Sequence, residues 1–377
     1  MRIYLDRRDE MFYAEMKDGS RVSAADYLVF CEKPEELYCP GCKHPVFCKK
    51  GTKKLTHFAH YSNSDCTQFS EGETAIHLLG KQRLFDWFQK QKITVQMEAW
   101  LPKLQQRPDL LIQLDDGRKI AIEYQCSPIS NEKLVERTKG YLNNGYEVLW
   151  ICGPDYFINQ SLSQKQRLFL YSERGASFSL LCFNSETDEL LFYDDIYYNK
   201  RNQVHYNFSK KKLCRLSFKA FEEWYKGKSF RSKNRELEGT NFYLSYSKRM
   251  SLLHRKDYSH RLFLEQLYIR NHSLHELPNW LFYLPTKDLF YQTPAYIWKY
   301  YFTNWLFKKG VGEFIQISDF SEFIEHSKEN PVIFYDTPFV KEKNRNQPLL
   351  IFIQELIKQG ILKESGRNKW RVTKSSF

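Results

Sequence analysis

The chain has 377 residues, with 57 Lys and Arg against 45 Asp and Glu, and a formal net charge of +12 at pH 7. This length allows two or three domains with their own cores, and the positive charge suits a polyanionic partner such as nucleic acid. The charged start is unlike a signal peptide, and no run of 18 apolar residues occurs, so we expect no membrane span. Nine cysteines, an odd number, fit the reducing cytoplasm better than a disulfide scaffold.

The N-terminal arm carries a cluster of residue types that zinc prefers as ligands. Cys39 and Cys42 enclose a Pro-Gly pair, and His57, His60 and Cys66 follow further along the chain. This pattern is typical of a zinc ribbon, in which four Cys or His ligands surround the ion as a tetrahedron; a redox-active Cys pair is the alternative. With five candidates for four places, we predict that Cys39, Cys42, His60 and Cys66 bind structural Zn²⁺. His57 would lie on the opposite strand face from His60 and is the candidate to replace one ligand.

An amphipathic helix is predicted next, because apolar residues between positions 76 and 88 recur at helical spacing. Glu73, His77 and Lys81 are four residues apart and would share one stripe of that helix. Two interpretations of this stripe remain open: a part of a functional site, or an ordinary solvated face.

A β-hairpin is predicted around Asp115–Arg118, because Asp-Asp-Gly lies between two short apolar runs. The first run follows Pro108-Asp109, and the second contains Glu123 and Gln125, which share a face because strand side chains alternate. Asp109 and Glu123 would then lie on neighbouring strands, within reach of one divalent cation. Acidic side chains beside buried strands are usually paired or bind metal. The hairpin therefore favours metal-dependent phosphodiester chemistry over the alternative of an unrelated surface Asp and Glu.

A helix from Asn131 to Leu142 is predicted after the hairpin, with Ser130 as its N-cap. Arg137 and Tyr141 share one face of this helix; they would either contact phosphate or form a surface cation–aromatic pair. Gly145 ends the helix before an apolar strand at 148–151. Helix, hairpin, helix and strand together predict an α/β core.

The rest of the chain is less regular. Strands are predicted on both sides of a turn at 184–188, followed by an aromatic and basic strand that ends in Lys210–Lys212. This strand is either a basic edge against DNA or a charged edge that prevents aggregation. Residues 226–236 hold five cations and little apolar content, which indicates a basic linker.

Three helices and a closing hairpin are predicted in the C-terminal third, at 294–307, 318–326, 348–359 and 361–372. This order favours a winged-helix arrangement, in which Arg367 and Lys369 of the hairpin turn would grip the DNA backbone. A purely structural hairpin is the alternative.

The order Glu73, Pro108-Asp109 and Glu123-Tyr124-Gln125 resembles the PD-(D/E)XK nuclease superfamily. With the Cys-x-x-Cys and His-Phe-Ala-His arm in front of it, the chain resembles the competence protein CoiA family over residues 1–155. The resemblance implies a bacterial cytoplasmic protein that acts on single-stranded or branched DNA intermediates during natural transformation and homologous recombination, with recombination proteins as partners.

The expected fold class is α/β, with four regions. These are a zinc-binding arm at 1–70, a restriction-endonuclease-like core at 71–160, a β extension with a basic linker at 161–240, and a mostly helical, winged-helix-like domain at 241–377.

The resemblance also implies roles for individual residues. One or two Mg²⁺ or Mn²⁺ ions would be held by Glu73, Asp109 and Glu123. Gln125 would position the attacking water, and His77 would donate to a phosphate oxygen or orient Glu73. Nucleic acid would be contacted by Lys81, Arg137 and Tyr141.

One departure from the superfamily pattern matters for function. Gln125 stands where most members carry Lys and cannot supply a positive charge, so Lys81 or Arg137 would have to lend it. The main alternative is therefore a catalytically weak or inactive DNA-binding protein that recruits partners on a nuclease scaffold. A defence-type endonuclease is a third possibility.

Overall fold

The computed structural model describes residues 13–24, 27–28, 36–40, 42–50, 56–61, 74–172, 178–198, 203–226, 246–283, 289–326, 332, 334–340 and 345–377. Cys66, Glu73 and nearly all of the basic segment 226–236 lie outside the described residues. The chain divides into two compact units. The first comprises Met1–Phe157, Leu180–Phe192 and Phe208–Tyr225, and the second comprises Ile158–Ser179, Tyr193–Asn207 and Lys226–Phe377.

The N-terminal arm is a five-stranded antiparallel sheet in the order β2-β1-β3-β4-β5. Its strands are β1 (Tyr13–Met16), β2 (Arg21–Ser23), β3 (Leu37–Tyr38), β4 (Pro45–Lys49) and β5 (His57–His60). One face is closed by a small apolar core of Ala14, Ala24, Leu37, Cys39, Val46 and Phe58. The Cys-x-x-Cys turn joins β3 to β4, so the two thiols lie at one end of this sheet.

The central segment alternates helices and strands as the sequence predicts. Its elements are α1 (Ala75–Lys90), β6 (Thr94–Met97), β7 (Leu110–Gln113), β8 (Lys119–Gln125), α2 (Asn131–Asn143) and β9 (Glu147–Cys152). Strands β6, β7 and β8 are antiparallel, whereas β9 runs parallel to β8. Helix α1 packs against β6 and β8, and α2 packs against β9.

The sheet continues beyond β9 to seven strands, in the order β12-β11-β10-β9-β8-β7-β6. The added elements are α3 (Gln164–Arg167), β10 (Leu180–Asn184), β11 (Glu189–Tyr198), β12 (Val204–Lys212) and α4 (Phe218–Tyr225). Central strands β8 and β9 are buried along almost their whole length, as expected for strands covered on both faces. The basic edge strand β12 is exposed instead.

Local sequence signals explain the boundaries of the hairpin and its helices. Gly117 has φ +85°, a conformation that Gly adopts at little cost, and it closes the turn between β7 and β8. The Ser130 hydroxyl accepts the Lys133 N–H at 3.3 Å and caps α2, as predicted.

The start of α1 is set by a capping side chain. Thr74 is the N-cap, in an extended conformation, and its Oγ1 accepts the His77 N–H at 3.2 Å. The helix therefore begins at Ala75 and carries His77 and Lys81 of the predicted stripe.

The C-terminal part contains the predicted helices and hairpin. Its elements are α5 (Tyr246–Ser251), α6 (Tyr258–Ile269), α7 (Ala295–Lys309), β13 (Phe314–Gln316), α8 (Phe320–His326), α9 (Gln347–Lys358), β14 (Leu362–Gly366) and β15 (Lys369–Val372). The three strands form an antiparallel sheet in the order β13-β15-β14. Helix α7 is buried on nearly all sides, which accounts for its aromatic composition.

Candidate functional site

The two acids of the hairpin lie opposite each other. Leu110 pairs with Ile122 in the β7/β8 ladder, so Asp109, which directly precedes β7, is level with Glu123 of β8. The Tyr124 N–H donates to Asp109 Oδ2 at 2.8 Å, which fixes the Asp109 side chain against β8. The hairpin thus presents two carboxylates at one end of the ladder.

Asp109 is held by two side chains of helix α1 in addition to β8. His77 Nε2 lies 3.1 Å from Asp109 Oδ2, and Lys81 Nζ lies 3.8 Å from Oδ1, both from α1. Burial alone would raise the pKa of Asp109, but His77, Lys81 and the Tyr124 N–H outweigh it and lower the pKa. Asp109 is therefore an anion at neutral pH. Among the described residues, Oδ1 accepts no hydrogen bond.

Glu123 is held by helix α2. Its Oε1 accepts from Arg137 Nη2 at 2.7 Å and from the Tyr141 hydroxyl at 2.5 Å. Burial raises the pKa of Glu123 to about 7; Asp109 adds to the rise, while Arg137 and Tyr141 oppose it. Both protonation states are thus accessible near neutral pH. No described residue donates to Oε2.

A buried charge network behind Asp109 was not foreseen from the sequence. Lys81 Nζ lies 2.5 Å from Glu98 Oε1, and Arg107 Nη1 lies 2.8 Å from Glu98 Oε2. The side chains of Lys81 and Glu98 are 0% and 2% exposed. Burial would raise the pKa of Glu98, but the two cations lower it. One signal was available: Glu98 interrupts the buried residues Met97 and Ala99, where an acid needs partners.

The remaining predicted site residues occupy specific positions. Gln125 donates from Nε2 to the Ser127 carbonyl at 2.7 Å. Lys81 is fully buried, so it is not at the surface where a direct contact with nucleic acid was expected. Arg137 and Tyr141 both donate to Glu123 Oε1, and the Arg137 side chain remains 28% exposed.

The donor atoms at this site fit a hard divalent cation. Asp109 Oδ1 and Glu123 Oε2 are carboxylate oxygens, the ligand type that Mg²⁺ and Mn²⁺ take alongside retained waters. The part of the chain that the structure describes has one group of three His, Cys, Asp or Glu with ligand atoms within 4.8 Å of one another, and it lies in the N-terminal arm. A metal at the hairpin would thus take its other ligands from water, substrate or residues outside the described ranges.

That one group consists of Cys39, Cys42 and His60. Cys42 Sγ lies 3.2 Å from His60 Nε2, and the Cys42 N–H donates to Cys39 Sγ at 3.5 Å. Two thiols and an imidazole are the donors expected of a structural metal site such as zinc. The structure thus brings together three of the four predicted ligands. His57, on the same strand as His60, is not part of the group.

Comparison with known proteins gives consistent matches along the chain. Family models of competence protein CoiA match in order: its N-terminal domain at 24–69, its nuclease-like domain at 73–224 and its C-terminal domain at 246–376. Competence protein CoiA of Bacillus subtilis (strain 168) is 34% identical over 121 residues. That match covers 32% of this chain and 32% of the relative. No solved structure matches the chain, and none of the described helices is both long and apolar enough to cross a bilayer.

The resemblance seen in the sequence is thereby confirmed. The nuclease-like match contains both Asp109 and Glu123, and this domain fits the PD-(D/E)XK superfamily. With three models of one family matched in order along nearly its whole length, the chain belongs to the competence protein CoiA family.

Proposed function

We propose that this protein is a metal-dependent DNA nuclease that acts on single-stranded or branched DNA intermediates during natural transformation. The observation that carries the proposal is the pair Asp109 and Glu123. They lie level in the β7/β8 ladder, and in each carboxylate one oxygen accepts hydrogen bonds while the other accepts none from the described residues.

The order of elements around the pair supports the proposal. Helix α1, three antiparallel strands β6–β8, helix α2 and the parallel strand β9 place Asp109 before the second strand and Glu123 within the third. This is the placement expected of a restriction-endonuclease-like core. Fold alone does not establish chemistry, so the argument depends on the two carboxylates.

Each residue has a role in the proposed reaction. Asp109 and Glu123 would hold a Mg²⁺ or Mn²⁺ ion, with Glu73 as a further ligand, and the bound ion would supply activation of a water and stabilisation of negative charge on the phosphate. His77 and the Tyr124 N–H orient Asp109 through Oδ2. Arg137 and Tyr141 orient Glu123 through Oε1. Lys81 supplies the positive charge that Gln125 cannot.

Binding of DNA is proposed from charge and from the C-terminal topology. Helix α7, strand β13, helices α8 and α9 and the β14–β15 hairpin follow the order of a winged-helix domain, with the sheet order β13-β15-β14. Arg367 and Lys369 are exposed at the hairpin turn, where they are placed to contact phosphates. Family membership further suggests that the protein works in the bacterial cytoplasm with recombination proteins.

A cleavage assay with a matched control tests the function. Labelled single-stranded, duplex and branched DNA is incubated with Mg²⁺ or Mn²⁺ and with wild type, Asp109→Asn or Asp116→Asn. Asp116 is the control because it lies in the same hairpin but is exposed and paired with Arg118. We expect cleavage by wild type and Asp116→Asn, and loss of cleavage with retained DNA binding in Asp109→Asn.

The alternative function predicts a different result from the same assay. Gln125 is bonded to the Ser127 carbonyl, which favours a scaffold whose catalysis has weakened. Binding without cleavage in either metal would support this DNA-binding and recruitment role and contradict the nuclease proposal. A sequence-specific pattern of cuts would indicate a defence-type endonuclease instead.

A further inference from the structure

We infer that Glu98 is a positioning residue of the proposed metal site: it holds the Lys81 ammonium beside Asp109 and keeps that ammonium from competing with the cation. The inference rests on the proposed function and adds two residues, Glu98 and Arg107, to which neither the sequence pattern nor the family comparison assigns a role.

The backbone ties Glu98 to Asp109 directly. The Glu98 N–H donates to the Asp109 carbonyl at 2.9 Å, immediately after the β6/β7 ladder ends. Glu98 has φ +51°, the left-handed region that residues with a side chain rarely occupy. Such a conformation persists only where its surroundings hold it in place, and functional sites are where it concentrates. Here it turns a carboxylate toward Lys81 instead of continuing the strand.

Both oxygens of Glu98 are used on cations. Oε1 takes Lys81 and Oε2 takes Arg107, while Lys81 also lies 3.8 Å from Asp109 Oδ1. Two cations and two carboxylates therefore share one buried cluster. A buried ion pair contributes little net stability compared with apolar packing, so stability alone is a weak reason for this arrangement.

The position of Lys81 relative to the metal ligand decides its effect. Lys81 lies near the Asp109 oxygen that is available to a cation. An ammonium held by Glu98 is a fixed positive charge next to the site. Without the Glu98 charge, the ammonium has Asp109 as its carboxylate partner within this cluster, and it would oppose cation binding there.

A single and a double variant at Glu98 and Lys81 should separate the effect on metal binding from the effect on cleavage. Glu98→Gln should weaken Mn²⁺ binding by about tenfold, because the Lys81 ammonium, no longer held by Glu98, competes with the cation for Asp109. The double variant Lys81→Met/Glu98→Gln removes both charges and should bind Mn²⁺ at least as tightly as wild type. Its single-turnover cleavage at saturating Mn²⁺ should nevertheless fall by about 100-fold, because a preorganised cation is missing from the site.

The experiment uses the whole 377-residue chain and Mn²⁺ as the probe. Mn²⁺ affinity is measured by calorimetry, with Asp109→Asn to identify the signal of this site. Single-turnover cleavage and thermal midpoint are measured on the same samples. Glu222→Gln is the matched control, because it removes a carboxylate that is paired with Arg118 elsewhere in the same unit.

Each outcome decides the inference. It is overturned if Glu98→Gln binds Mn²⁺ as Glu222→Gln does, or if the double variant matches wild type in both affinity and cleavage, which is the result of a purely structural pair. Mn²⁺ binding by wild type without any cleavage would reject the nuclease proposal alone, since the affinities still test Glu98. If Asp109→Asn has the Mn²⁺ affinity of wild type, both proposals are wrong.

Discussion

Replacing Arg137 with Met should destabilise the protein in a manner that depends on pH. The substitution removes the guanidinium 2.7 Å from Glu123, whose side chain is 4% exposed. Losing one partner of a buried pair costs about 3–5 kcal/mol. Because the Arg137 side chain is 28% exposed, we expect the lower end, about 3 kcal/mol, when Glu123 is ionised.

The sign of the pH effect follows from the raised pKa of Glu123, about 7 in the folded protein against a reference value of 4.5. Between these values the folded state binds a proton that the unfolded state releases, so stability falls as pH rises. Because Arg137 opposes the rise, removing it raises the pKa of Glu123 in the folded protein further. Below pH 7 the carboxyl is then protonated and needs no cation, so the cost of Arg137→Met should drop to about 1 kcal/mol or less at pH 6.

Urea denaturation of metal-free protein at pH 6 and pH 9 measures this effect. Arg118→Met is the control, because Arg118 is also 28% exposed but its three carboxylate partners are 23–55% exposed; its cost should stay within about 1 kcal/mol at both pH values. Glu123→Gln/Arg137→Met should recover most of the loss at pH 9. The reasoning is refuted if Arg137→Met costs the same at both pH values, or no more than Arg118→Met.

Three further predictions concern zinc, packing and DNA binding. Elemental analysis should find about one zinc per chain, and Cys39→Ser should lose the zinc and melt at a lower temperature. The control Cys214→Ser, at an exposed position, should change neither zinc content nor melting temperature, and a metal-free wild type of normal stability would contradict the prediction. Gly80→Ala should lower the free energy of unfolding by about 3 kcal/mol, because the added Cβ would overlap the buried Tyr124 ring. In thermal denaturation Gly140→Ala, whose Cβ meets only the flexible end of Gln106, should destabilise the protein clearly less, and equal losses would refute the packing argument. The logarithm of the DNA-binding constant should fall linearly with the logarithm of the salt concentration. A DNA affinity that does not change with salt would exclude phosphate contacts as the source of binding.

The elements around the site could be predicted because their signals are local. Gly117 sets the hairpin turn and Ser130 caps α2, and each acts on residues within four positions. The register of the hairpin then places Asp109 level with Glu123 without further information. The start of α1 has a local cause as well, because Thr74 directly precedes the helix and its hydroxyl accepts the His77 N–H as the N-cap.

The charge network could not be read from periodicity. Lys81 and Glu98 are 17 residues apart and meet only because α1 packs on the sheet, and Glu98 and Arg107 are 9 residues apart across the connection from β6 to β7. The same limit applies to Arg137 and Tyr141. Their shared helix face was clear, but their partner Glu123 depends on how α2 lies over β8. Contacts between elements require the packed structure.

The position of the metal tests the central claim most directly. Crystals of the full chain soaked in Mn²⁺ should give an anomalous peak in contact with both Asp109 Oδ1 and Glu123 Oε2, at metal–oxygen distances of about 2.1 Å. A fully occupied Mn²⁺ elsewhere, or no Mn²⁺ on these two carboxylates at saturating concentration, would contradict the proposed site and the hydrolytic function built on it.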